Sequence, residues 1–402
     1  MSRRDWAIFL VGLAAVGGLV ASTLGDVKYQ SQADEGYYLR YAARIAQEGP
    51  GAFPALFQAY LQGAQSSRYF PNPIRVTTIL LQAAVARLAG PTFRSLSGLS
   101  LAAFLALLAL MFAWMSRIFD RRTAITGVLL MAASPLHLLM ARRALADTLI
   151  SAAMMGCLWL LFRALWGTPR RGIWRWAAFL YAVAFLVKES SLILIPISLT
   201  FIAWRAVDRR QPFPWREGCA VSVVPLALAG AVMLLAAGGW HTLWETLRMS
   251  RGAYSSPFAQ AYLQGPWFRY VADFLIISPW VTILYLVWLG TLVGSGEKDE
   301  RVWFWVVLPV LFILFASLFP LRHIRYAMVL EIPMRVGIAL LLRRLPAQRL
   351  SARWAAFGTA VVLAGLILID VETFRRFVEW DVYEPTNLKL LLVQRFLVPP
   401  TH

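Results

Sequence analysis

The residues of this chain with types suited to chemistry fall in four short stretches. Asp34 and Glu35 form an acidic pair within Gln32-Ala33-Asp34-Glu35-Gly36-Tyr37-Tyr38. Arg142, Arg143 and Asp147 share the turn 141–147. Lys188 and Glu189 sit between two apolar runs, in Val187-Lys188-Glu189-Ser190-Ser191. Arg322, His323 and Arg325 precede Tyr326. Fixed cations of this kind clamp phosphate oxygens. A carboxylate beside them can take a proton from a hydroxyl. The mixture suits a phosphate-bearing lipid and a reacting alcohol.

Each stretch also has a purely structural reading. Asp34 and Glu35 can cap a helix. Arg142 and Asp147 can pair at a membrane boundary. Lys188 can snorkel toward the headgroups. Arg322, His323 and Arg325 can be headgroup contacts. Glu331 and Arg335, four apart, read as a pair internal to one helix. His137 and His241 have no partner spacing and carry no assignment. Trp pairs such as Trp174 and Trp176 read as interface belts.

The chain around these groups is mostly hydrocarbon. It is 59% hydrophobic, with 17 Trp, and its mean hydropathy is +0.61. Apolar runs of roughly 17–23 residues recur, each long enough to cross a bilayer core of about 30 Å as a helix. Lipid cannot satisfy an open sheet, so the fold class is an all-α polytopic membrane protein. The runs place spans at about 6–24, 96–117, 123–140, 147–166, 174–187, 191–206, 217–238, 273–293, 302–319, 327–343 and 353–370. The first run follows Arg3 and Arg4 and reads as an uncleaved helix rather than a signal peptide.

The net charge of +18 does not point to nucleic acid. The cationic residues fall in short loops, which is an orientation signal. Segment 74–89 decides the parity. If it stays on one side, the loops 117–122, 163–175, 205–217, 297–301 and 343–353 all share the face of the N-terminus. These loops and Arg3–Asp5 then hold about half of the 39 Lys and Arg but only a third of the 21 acids. That asymmetry favours eleven spans and an outer loop, 25–95, that dips into the interface without crossing. Within it, Asp34 to Glu48 reads as an amphipathic helix. Tyr38, Tyr41 and Ile45 recur at helical spacing, and Gly49-Pro50-Gly51 stops it. Pro54 to Gln62 reads as a second short helix. This topology brings all four polar stretches to the outer face.

Cys157 and Cys219 are the two cysteines, and neither has metal-ligand spacing. Phosphate-loop, zinc-protease and nucleophile-elbow motifs are absent from the sequence, as is a repeat of broken helices. Neither a metal nor a cofactor is expected.

The ordered set resembles the GT-C superfamily of membrane glycosyltransferases. It is most similar to the branch of the dolichyl-phosphate-mannose protein mannosyltransferases and the lipid A aminoarabinose transferases. The residues that carry the likeness are Asp34 to Tyr38, Arg143 to Asp147, Lys188, and Arg325-Tyr326 with Pro333. It departs from the branch in one turn, where Lys188-Glu189-Ser190 stands for Lys-Gly-Pro. The Trp-Trp-Asp motif of oligosaccharyltransferases does not occur.

The resemblance implies a GT-C-like bundle of about 11 transmembrane helices over 1–370, with a short outer tail, 371–402. It implies an inverting transferase at the extracytoplasmic face of the cytoplasmic membrane. A single sugar would pass from a polyprenyl-phosphate donor to a lipid, glycan or protein hydroxyl. Asp34 would be the general base, and Asp147 would organise the site. Lys188 and Arg325 would hold the donor phosphate. Glu35, Tyr37, Tyr38, Arg143, Glu189, Arg322, His323 and Tyr326 would complete donor and substrate binding. A transporter or flippase of lipid-linked sugars is the alternative, and it would line a path with deep polar groups.

Overall fold

The computed structural model describes residues 3–25, 27, 30–64, 71–167, 172–252, 260, 264–319, 321–344 and 352–380. Most of the expected tail, residues 381–402, lies outside these. The described residues form helices and no β-strand. In chain order the helices are α1 (Arg3–Ala21), α2 (Asp34–Glu48), α3 (Phe53–Ala64), α4 (Val76–Ala89), α5 (Phe93–Ile118) and α6 (Arg121–Ala132). There follow α7 (Pro135–Ala141), α8 (Asp147–Trp166), α9 (Ile173–Val187), α10 (Leu194–Asp208), α11 (Trp215–Val221) and α12 (Val223–Ala237). The last are α13 (Trp240–Gly252), α14 (Arg269–Ile277), α15 (Pro279–Ser295), α16 (Glu300–Ala316), α17 (Glu331–Arg344) and α18 (Ala352–Glu379). Tight 3-10 turns at Glu189–Ile193 and Ile324–Leu330 lead into α10 and α17.

Every segment read as a span is helical, but several are shorter or broken. Among the described residues, five helical stretches are long and apolar enough to cross a bilayer, or seven if two bent pairs each count as one span. Leu10–Ala21, Val76–Ala89 and Ile173–Val187 are apolar but shorter. Segment 123–140 breaks where Ser134 caps α7 and Pro135 starts it, so α6 and α7 bend by 62°. Segment 273–293 breaks at Ser278-Pro279, and α14 and α15 bend by 120°. Proline has no amide hydrogen and disfavours a helical residue before it, so a continuous helix stops there. Helix α18 continues past the expected end of its span to Glu379. With 14 residues, α4 is about 21 Å long, short of the hydrocarbon thickness.

The chain divides into two compact units. One holds Met1–Thr23, Phe104–Arg142 and Gly265–His402; the other holds Leu24–Ala103 and Arg143–Gln264. In the second unit α2 packs on α4, α4 on α9, and α9 on α8 and α12. Ala42, Ala86, Leu96 and Ala144 form a close-packed knot there, flanked by Leu39, Ala46 and Phe93. In the first unit α17 is central, packed against α6, α15 and α16. Each of its residues from Glu331 to Leu342 is buried. Large apolar side chains on the outsides of α12, α15 and α18, such as Leu235, Val293 and Leu368, are exposed. In a membrane these face lipid tails.

Close approach in the first unit depends on Gly337. A Cβ there would collide with the indole of Trp288, which is fully buried. Overpacking of this kind costs about 1–3 kcal/mol. Gly337→Ala should therefore lower the midpoint of thermal unfolding in detergent. Gly358→Ala, where a Cβ meets open space on α18, should leave it unchanged or raise it.

Candidate active site

The acidic pair splits into two different environments. Glu35 points into the second unit and is fully buried. Its carboxylate accepts from the Arg143 Nη2 at 2.8 Å, the Gln30 Nε2 at 3.1 Å and the Ala144 backbone N–H at 3.2 Å. Asp34 is the first residue of α2 and is partly exposed. Among the described residues its carboxylate takes part in no hydrogen bond or ion pair, although its charge acts on the Tyr38 phenol. The positive end of the helix favours an anion at this position. Gly36 follows because a Cβ there would strike the Ser31 carbonyl, so the turn into α2 admits only glycine.

Tyr38 lies one helical turn from Asp34 and is fully buried. Its hydroxyl accepts from the Arg75 Nη1 at 2.5 Å. Burial pushes the phenol well above its ordinary range, although the guanidinium pulls the other way. Tyr37 is partly buried, with the Arg40 guanidinium over its ring at 4.2 Å. Arg75 caps α4 and also binds Glu189, its Nε donating at 2.9 Å. Burial disfavours its charge, but Glu189 and Tyr38 override that and hold it protonated well above the usual arginine range.

Helix α8 supplies the next pair. Asp147 begins the helix, and Lys188 caps the C-terminus of α9. The Lys188 Nζ donates to Asp147 Oδ1 at 2.6 Å, and both residues are buried. The end of α9 is also tied to α4, since Thr78 Oγ1 donates to the Val187 carbonyl at 2.9 Å. That satisfies one of the carbonyls a helix terminus leaves over. Gln82 of α4 donates to the Ala144 carbonyl at 3.3 Å.

These contacts close into a circuit. Glu35 of α2 pairs with Arg143, one turn before Asp147. Asp147 pairs with Lys188, whose neighbour Glu189 pairs with Arg75. Arg75 returns to Tyr38 of α2. The six charged members balance, three acids against three bases. Asp34 stands beside the circuit as an extra carboxylate. Of the three cations Arg75 is the most accessible, its side chain 13% exposed against 4% for Lys188 and 1% for Arg143.

The structure thus brings together Asp34, Glu35, Tyr37, Tyr38, Arg143, Asp147, Lys188 and Glu189. Arg322, His323, Arg325 and Tyr326 belong to the other unit. There the Arg322 Nη2 donates to the Ser317 carbonyl at 2.8 Å, and Arg322 also donates to the Gly265 carbonyl. His323 Nδ1 accepts from the Arg325 backbone N–H at 3.2 Å and caps the turn Ile324–Leu330. Sequence reasoning missed Arg75 and Gln30. The available signal is its place directly after Pro71-Asn72-Pro73, at the start of α4. Among the described residues no three His, Cys, Asp or Glu group as a metal site.

The Glu35–Arg143 pair is buried on both sides, and removing one partner strands a charge. Arg143→Ala should cost about 3–5 kcal/mol of stability. It should show as a fall in folded yield and in unfolding midpoint.

A family model described as "Dolichyl-phosphate-mannose-protein mannosyltransferase" matches residues 76–231, which include α4, Asp147 and Lys188. No curated protein matches. Among solved structures, ArnT from Cupriavidus metallidurans bound to undecaprenyl phosphate superposes with a TM-score of 0.54 at 14% identity, over 98% of this chain and 73% of that one. Its apo state gives 0.54 at 16%, over 94% and 73%. The Archaeoglobus fulgidus oligosaccharyltransferase tethered to an acceptor peptide gives 0.59 at 11%, over 99% of this chain but 58% of that one. The chain is a multi-pass membrane protein that resembles the GT-C superfamily of membrane glycosyltransferases, in fold along nearly all its length and in sequence over 76–231.

Proposed function

We propose that the chain is an inverting glycosyltransferase. It moves one sugar from a polyprenyl-phosphate donor to an acceptor hydroxyl at the outer face of the cytoplasmic membrane. The observation that carries this reading is Asp34: a partly exposed carboxylate, without an ion pair among the described residues, beside a charge-balanced circuit. ArnT, a protein of the same fold, holds undecaprenyl phosphate, which supports a lipid phosphate as the leaving group.

The reaction is a single displacement. Asp34 accepts the proton of the acceptor hydroxyl as its oxygen attacks the anomeric carbon. The bond from that carbon to the phosphate oxygen breaks, and its electron pair leaves with the polyprenyl phosphate. Attack opposite the leaving group inverts the centre. Negative charge grows on the phosphate, and fixed cations in a partly dry site stabilise it. Arg75 is the cation best placed for this, being the most accessible and also bound to Tyr38. Lys188 is held by Asp147, and that pair anchors the turn between α9 and α10. Glu35 and Arg143 position α2, and with it Asp34, rather than touching substrate. Glu189 and Tyr38 aim the Arg75 guanidinium. Transport of lipid-linked sugars has less support, because the deep charges Glu331, Arg335 and Asp370 pair with one another.

Asp34→Asn removes the base and keeps the shape. Turnover with a polyprenyl-phosphate sugar donor should fall by about 10²–10⁴, with the unfolding midpoint unchanged; near-normal turnover rules out the role. Arg75→Lys keeps a charge but loses the forked geometry. It should raise the donor KM several-fold.

The orientation has its own test. With Cys219 replaced, a cysteine at Ser31 should react with an impermeant maleimide added outside intact cells, and one at Arg210 should not. The opposite pattern would place the site on the cytoplasmic side.

A further inference from the structure

The cation assigned to the donor phosphate is carried by a turn rather than by the body of a helix. Arg75 stands at the N-terminal boundary of α4, an end that no side chain caps. The place of its guanidinium therefore depends on what holds the residues before it. Pro71 and Pro73 fix φ on both sides of Asn72, and Pro73 also disfavours a helical Asn72. Asn72 is buried. Its Oδ1 accepts from the Ile74 backbone N–H at 3.1 Å, the two-residue reach that asparagine makes in turns. The Arg75 N–H donates to the Asn72 carbonyl at 3.4 Å, and the Arg75 carbonyl accepts from the Ile79 N–H of α4 at 3.1 Å.

Two further helices hold this turn. The amide oxygen of Asn72 faces a backbone donor, so its nitrogen is free to donate, and it does so to the Ser250 hydroxyl of α13. That hydroxyl donates to the Thr246 carbonyl at 2.8 Å, and the Tyr60 hydroxyl of α3 lies 3.3 Å from the same oxygen. Helix α13 packs on α3 and buries Leu243 and Thr246. Independently, the Tyr41 hydroxyl of α2 donates to the Pro71 carbonyl at 3.2 Å. Tyr41 comes three residues after Tyr38, on one face of α2. Tyr38 meets the Arg75 guanidinium itself. Helix α2 thus grips both the turn and the side chain that leaves it, while α13 grips the turn through Asn72.

We infer that Asn72 is a positioning residue for the donor phosphate: it fixes the backbone at Arg75 and thereby the direction in which the guanidinium leaves α4. The inference rests on the reading of Arg75 as the cation of the transfer site and deepens it. Its physical content is preorganisation, since a group that meets a developing charge acts best when it need not be reoriented. Helix α2 also begins at Asp34, so the base and the cation are both referenced to one helix. With alanine at position 72, the Ile74 N–H loses its acceptor and the turn loses its tie to α13.

The test is a double-mutant cycle read by binding. The full chain in lipid nanodiscs is titrated with undecaprenyl phosphate, so neither an acceptor nor turnover is needed. Wild type, Asn72→Ala, Arg75→Lys and the double variant form the cycle. Asn72→Ala should weaken binding several-fold. On the Arg75→Lys background the same change should cost less than about twofold, because the group it positions is already altered. An equal loss on both backgrounds would give Asn72 a role in stability alone and overturn the inference. Unchanged binding by Asn72→Ala would overturn it too. Unfolding midpoints show that each variant is folded. Should Asn72→Ala fail to fold, Ser250→Ala takes its place in the cycle, since it removes the hydroxyl that accepts from Asn72. If wild type does not bind, or Arg75→Lys binds as wild type does, the reading of Arg75 falls and the inference falls with it. Binding weakened by Arg75→Lys but not by Asn72→Ala leaves that reading standing and removes Asn72 alone.

Discussion

A closed circuit of ion pairs organises one end of the second unit. Charges next to hydrocarbon are tolerated when paired and hydrogen-bonded. Here Glu35–Arg143, Lys188–Asp147 and Arg75–Glu189 link α2, α4, α8 and α9, and the Tyr38 hydroxyl closes the loop. Each pair also fastens a helix end. Arg75 caps α4, Asp147 opens α8 and Lys188 closes α9. Position and charge are therefore coupled, because no one pair can move without disturbing two helices.

Against that neutral frame a carboxylate with no ion pair among the described residues has meaning. Asp34 and Glu35 are neighbours of the same chemical kind, yet the helix turns them to opposite fates. Glu35 faces inward, accepts hydrogen bonds from three residues, and keeps the helix in place. Asp34 is partly exposed, with no ion pair among the described residues. Successive residues of a helix point about 100° apart, so one acid of a pair can be structural while its neighbour remains reactive. Gly36 makes this possible, since the chain passes too close to the Ser31 carbonyl for any side chain at that position.

The first unit solves a different problem with similar means. Breaks at Ser134-Pro135 and Ser278-Pro279 leave backbone groups without helical partners inside an apolar bundle. Arg335 supplies one remedy by donating to the Leu130 carbonyl. Once a guanidinium is buried it needs counter-charges, and Glu331 and Asp370 provide them from two helices. Glu331 and Arg335 do form the internal helix pair that their spacing indicates, but that pair is only part of a larger set.

The amino-acid order alone determined the class of fold, the placement of the apolar helices and the bounds of α2. These follow from local quantities: hydropathy, helical period and turn residues. The tertiary structure alone decided which acid of the pair is buried in an ion pair, which cation each buried acid meets, and where two spans break and by what angle. Arg75 and Glu189 are 114 residues apart, and His137 and Glu331 are 194 apart. Partners that distant leave no periodic trace, because packing brings them together only after the helices have formed. His137 illustrates the limit: its carboxylate partner, Glu331, comes from α17 and nothing in its spacing announces it.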